Sequence, residues 1–188
     1  MKRTTSKKPA KSNHPAIGTM LYQLLGEEHS KQQCDRIVKY VGNDKERFAG
    51  LMQLFFKGEY RITQRAAWPL SYCVRRHPEL IGPYLRPLLD NLSKEKIHVA
   101  VIRNTMRLLQ DITIPEKYQG RVMSICFDFI QSPETPIAVK AFSLTVLQQL
   151  SLQYPDILAE LKLIIEEQWD QATPAFRSRA KRILKNMK

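Results

Sequence analysis

Glycine is scarce in this chain, seven in 188 residues, and no Asn-Gly or Asp-Gly dipeptide occurs. Hairpin-linked strands need such turn residues between short alternating runs, so their shortage argues against a sheet protein. Cysteine is equally sparse. Cys34, Cys73 and Cys126 are far apart, odd in number and without a CxxC pair, which removes a disulfide framework, a zinc ribbon and a dithiol couple. A reducing, cytoplasmic setting is expected. The longest uncharged run, Ala141 to Pro155, carries three glutamines and falls short of the roughly 20 apolar residues that span a bilayer. The basic N-terminus is not followed by the apolar stretch of a secretory signal.

Signatures of catalysis are missing too. The sequence holds no GxGxxG, no GxxxxGK[ST] and no GxSxG, and His14, His29, His77 and His98 stand apart rather than in HExxH spacing. The expectation is no metal, no cofactor and no catalytic residue, and a non-enzymatic scaffold is the leading reading. Cys73 and Cys126 sit in apolar helical stretches and read as packing residues.

What the chain does have is a period. Segments beginning at Gln64, Ile102, Val139 and Phe176 each place a basic residue second: Arg65, Arg103, Lys140 and Arg177, separated by 38, 37 and 37 residues. Apolar or small residues then recur at helical spacing, as in Met106, Leu109, Ser143, Val146, Leu147, Leu150, Ala180, Ile183 and Leu184. A weaker copy starts at Lys31 and stops at Gly42. A second amphipathic helix precedes each of these, and three open at or near Pro78, Pro115 and Pro155, where the missing proline donor is not needed. Asn43 and Asp44 supply caps for the equivalent helix running to Lys57. Pro69 inside one helix, and Pro83 and Pro87 inside another, predict kinks.

The reading is a basic disordered tail over 1–14 and one all-α domain over 15–188, built of hairpins at about 15–42, 44–77, 78–114, 115–154 and 155–187. The lengths, the Pro-Glu and Pro-Asp openings and the apolar, basic, small pattern resemble the HEAT/armadillo-like repeat family, with Pro78 to Leu109 the nearest match. Small bacterial HEAT-repeat proteins share the overall pattern. The resemblance implies a right-handed α-α solenoid of about five hairpins, whose second helices line the concave face.

Charge follows the same division. The net charge is +12, and 11 of those charges come from residues 1–16 and 174–188, which contain no acid. The second helices of the hairpins carry 17 basic residues against Asp35 alone, while the first helices carry 7 basic and 13 acidic residues. A basic concave face suits a polyanion, above all the backbone of nucleic acid. The candidate anion-binding residues are Arg61, Arg65, Arg75, Arg76, Arg103, Arg107, Lys140, Arg177, Arg179 and Arg182, with Lys31, Arg36 and Lys96 on the same helices and Trp68 a possible base-stacking residue. The competing account of Arg65, Arg103, Lys140 and Arg177 is a structural ladder, bonded to acids such as Asp90 and Glu166 or to the carbonyl ends of the first helices. An adaptor for an acidic protein is the alternative partner reading. A more distant resemblance, to HEAT-like DNA glycosylases for alkylated bases, implies an acid beside a concave Trp. Here Trp68 is followed by Pro-Leu-Ser-Tyr, and Trp169 with Asp170 lies on a first helix. A DNA-glycosylase-like repair enzyme is kept as an alternative to the non-enzymatic scaffold.

Overall fold

Helix caps and apolar spacing divide the chain into ten α-helices and one 3-10 segment, with no strand among the described residues, 14–93 and 97–185 of a computed structural model. The helices are α1 (His14–Glu27), α2 (Lys31–Val41), α3 (Lys45–Lys57), α4 (Tyr60–Arg76), α5 (Leu85–Leu92), α6 (Val99–Leu109), α7 (Glu116–Gln131), α8 (Ile137–Leu150), α9 (Ile157–Glu167) and α10 (Pro174–Lys185). The basic tail read over 1–14 lies, apart from His14, outside the described residues, as does Lys96.

Local chemistry explains the boundaries. Ser30 Oγ accepts from Gln33 N at 3.0 Å to open α2. Asp44 Oδ1 accepts from the Glu46 and Arg47 amides at 2.9 and 3.0 Å to open α3. Each satisfies a donor that the first turn leaves without an intrahelical partner. Gly42 closes α2 at φ +52°, a left-handed conformation that glycine adopts without a Cβ penalty.

Two of the proline expectations meet the structure differently. The stretch from Pro78 is not one kinked α-helix: Pro78–Tyr84 is 3-10 and only Leu85–Leu92 is α-helical. Pro83 removes a donor and the chain takes the tighter geometry, while Pro87 falls in the first turn of α5, where no donor is required. Pro69, by contrast, sits in α4 without interrupting it from Tyr60 to Arg76.

Second helices pack on one another in sequence, α2 on α4, α4 on α6, α6 on α8 and α8 on α10, forming a continuous layer. Among the first helices only α1 and α3 approach as closely. The layer of α2, α4, α6, α8 and α10 is thus the continuous one, and it is the layer expected to form the inner side of such a stack. The core runs between the layers without a break. Its largest fully buried side chains include Phe48, Phe55, Leu70, Leu88 and Met106. Ala66, Ser143 and Ala180, all fully buried, are the small residues that let neighbouring helices come close.

Candidate anion-binding face

The four periodic cations have different fates. Arg65 on α4 donates through Nη1 to the carbonyls of Leu25 at 2.8 Å and Gly26 at 2.9 Å, in the last turn of α1. Arg177 on α10 donates through Nε to Trp169 O and through Nη2 to Asp170 O, both at 3.1 Å, and its guanidinium lies 5.8 Å from the Trp169 ring centroid. Trp169 and Asp170 lie in the turn that follows α9, whereas the α1 carbonyls lack intrahelical donors and carry the negative end of the dipole, so Arg65 is stabilised twice. Lys140 on α8 reaches the same kind of site through a relay: Nζ donates to Gln168 Oε1 at 3.2 Å, and Gln168 Nε2 donates to Ile130 O at 2.7 Å. Arg103 is half-buried and makes no hydrogen bond or ion pair among the described residues.

Asp90 and Glu166 are not ladder partners. Asp90 pairs with Arg121 at 2.6 Å and Arg86 at 3.8 Å, and Glu166 pairs with Lys162 at 3.8 Å, all on first helices. Both carboxylates are taken by cations of their own layer.

The flanking cations divide as well. Arg75 forms a two-point ion pair with Asp111: Nη2 donates to Oδ1 at 3.0 Å, and Nε lies 3.0 Å from Oδ2 in poorer alignment. Arg179 Nε donates to Thr145 Oγ1 at 3.0 Å, and its guanidinium lies 5.7 Å from the Phe142 ring. Lys31 pairs with Asp35, and Arg36 with Glu27 at 3.3 Å. The side chains of Arg61, Arg76, Arg107 and Arg182 are exposed and have no ion pair or hydrogen bond among the described residues.

Position within the layer gathers some of these together. Lys31, Arg76 and Arg107 come from α2, α4 and α6, three second helices that pack side by side; burial pushes the Cys34 thiol up to about 11, and the charges of these cations act weakly against that shift. Arg182, with exposed Lys181 and Lys185, forms a separate group on α10. Between them α8 carries Lys140 as its only charged residue.

Tyr72, which was not singled out from the sequence, is central to the first group. Lys31 Nζ lies 4.8 Å from its ring centroid and the Arg75 guanidinium 5.7 Å. The signal was present: Tyr72 follows Trp68 by four residues and precedes Arg75 by three, so all three share a helix face. Trp68 itself is half-buried, packed against the core and edge-on to His29 at 5.2 Å. These contacts occupy part of its aromatic surface.

Chemically, the face can attract and hold anions. The three thiols are buried and their pKa values are raised by that burial, to about 12 for Cys73 and further for Cys126, so they stay protonated at neutral pH. Among the described residues no His, Cys, Asp and Glu grouping is suited to a metal ion, and no helix is long and apolar enough to cross a membrane.

Comparison with known proteins adds the architecture's name. Searches of curated proteins and of solved structures return no match. A model of the HEAT repeat domain matches residues 21–187. With that span covering nearly every helix of the two-layered stack, the chain belongs to the HEAT repeat family, whose helical scaffolds serve binding interactions.

Proposed function

We propose that this solenoid is a non-enzymatic scaffold that holds a polyanion on its inner layer, the phosphate backbone of nucleic acid being the ligand its chemistry fits best. One observation carries the reading. Arg76 and Arg107, on the neighbouring helices α4 and α6, are exposed and unpaired among the described residues, whereas the three arginines of the first helices, Arg47, Arg86 and Arg121, all have carboxylate partners. Unpaired guanidiniums on a shared surface neutralise phosphates and release condensed counterions, and neither step reads base identity.

Binding of labelled duplex and single-stranded oligonucleotides across about 50 to 200 mM salt, for wild type and an Arg76→Glu/Arg107→Glu variant, tests this. Wild-type affinity should fall steeply with salt, and the variant should lose affinity and show a salt slope reduced by about 2. Weak, salt-insensitive binding unaltered by the variant refutes it. Retention of an acidic protein in its place, with no oligonucleotide binding, would move the same face to an adaptor role.

A further inference from the structure

A groove of about 460 Å³ opens between the fourth and fifth hairpins, at the end of the molecule where α7 runs into α8 and α9 into α10. Its volume falls within the range of small-ligand sites. Ile137 and Phe176 give it apolar surface, and Gln131, Gln168, Gln171 and Thr173 give it neutral polar groups. Among the described residues that line it, Lys140 is the only cation and Glu167 the only anion.

Lys140 is not placed as an ordinary surface lysine. Among the described residues its ammonium has one hydrogen-bond partner, the neutral Gln168 side chain, and no carboxylate within ion-pair distance. Gln168 cannot turn away easily, because its own amide is anchored on the Ile130 carbonyl at 2.7 Å. The relay therefore fixes the ammonium at the groove and leaves two of its three donors for another acceptor. Partial burial lowers the Lys140 pKa, as expected for an ammonium that gives up water without gaining a counter-ion. Lys162, in contrast, lies in an i,i+4 pair with Glu166 on an exposed surface.

We infer that this groove is a carboxylate site, which takes the carboxylate of a small organic acid or of an Asp or Glu side chain on a bound segment. A singly charged, planar acceptor matches one ammonium flanked by amide and hydroxyl donors. A phosphate dianion does not: a single cation faces it, and Glu167 on the rim opposes a second negative charge. Ile137, 53% exposed at the first position of α8, supplies the apolar contact that favours a ligand with a hydrocarbon stem. The site is separate from the Arg76 and Arg107 cluster and does not depend on nucleic-acid binding.

The test is an NMR titration of the full chain, followed through the backbone amides of Gln168, Gln171 and Thr173. The probes are acetate, glutarate, a blocked glutamate dipeptide and inorganic phosphate at constant ionic strength. Saturable shifts with the carboxylates, and weaker ones with phosphate, are the expected result. Tighter binding of the blocked glutamate than of free glutarate assigns the site to a peptide segment, and the reverse assigns it to a free acid. Lys140→Gln should weaken binding about tenfold or more, the usual consequence of losing a charged hydrogen bond. Lys140→Arg should retain it. If Lys140→Gln does not fold, Ile137→Glu replaces it, since a carboxylate at the rim should repel the probes. Linear, unsaturable shifts, phosphate binding as tight as carboxylate, or binding unchanged in the charge-removing variant would each overturn the assignment.

Discussion

Arg65 and Leu25 are forty residues apart in sequence, yet the Arg65 guanidinium donates to the Leu25 carbonyl at 2.8 Å and to the next carbonyl, Gly26, at 2.9 Å. One side chain thereby closes the C-terminus of α1 and ties the second hairpin to the first. Replacing it with Met, which keeps the stem and removes the donors, should cost about 1–3 kcal/mol. Urea unfolding followed by far-UV circular dichroism measures this, and a loss below experimental error would show that water replaces the guanidinium freely.

Asp111→Ala should move stability and oligonucleotide binding in opposite directions. Its ion pair with Arg75 is partly exposed, at 48% for the arginine and 20% for the aspartate, so Asp111→Ala should lower stability by only about 1 kcal/mol. The same change removes a carboxylate from the inner face and frees Arg75, so oligonucleotide affinity should rise. A variant that loses both stability and affinity would argue that Asp111 positions Arg75 for the ligand.

Two glycines should respond to alanine in opposite directions. A Cβ on Gly50 would stand 3.0 Å from Ile17 Cγ2 and 3.2 Å from Leu21 Cδ1, where α3 crosses α1, so Gly50→Ala should destabilise by about 1–3 kcal/mol. Gly18 in α1 has nothing within 4 Å of that position, and Gly18→Ala should stabilise by about 0.5–1 kcal/mol through helix propensity. Thermal unfolding of the pair reads both signs.

The buried thiols set an alkaline limit. Their folded pKa values lie above the ordinary value of 9.0, at about 11 for Cys34 and about 12 for Cys73, so the folded state keeps protons that the unfolded chain releases. The stabilisation is complete below pH 9 and is lost as pH rises through the folded pKa values, by up to about 1.4 kcal/mol per pH unit for each thiol. Denaturation midpoints between pH 8 and 11 should fall accordingly, and Cys34→Ser/Cys73→Ser should flatten the decline. In native protein at pH 8, thiol reagents should react only at the rate of opening.

The architecture was legible because the 37- and 38-residue spacing of Arg65, Arg103, Lys140 and Arg177 repeats a whole structural unit. That period also governs contacts the sequence left open. Gln168 bonds Ile130 across 38 residues, Gln149 bonds Gln110 across 39, and Arg75 meets Asp111 across 36. Which partner each cation takes was not legible, since Arg65 and Arg177 choose backbone carbonyls, one pair in the last turn of α1 and one in the turn after α9, which side-chain patterns do not mark. Asp90 and Glu166 were equally plausible by composition, but they lie on the outer layer and are satisfied there. The 3-10 geometry at Pro78–Tyr84 depends on how backbone donors are shared around Pro83, which apolar spacing does not encode.

The near-neutral α8 divides the inner layer into two basic groups, one across α2, α4 and α6 and one on α10. Interhelical steps of 8–10 Å put these roughly 20 Å apart. A long anionic chain that reaches both would bind the second as an intramolecular event, at an effective concentration set by its stiffness, while a fragment shorter than the gap would hold only one. Affinity should therefore rise in a step with ligand length rather than in proportion to it.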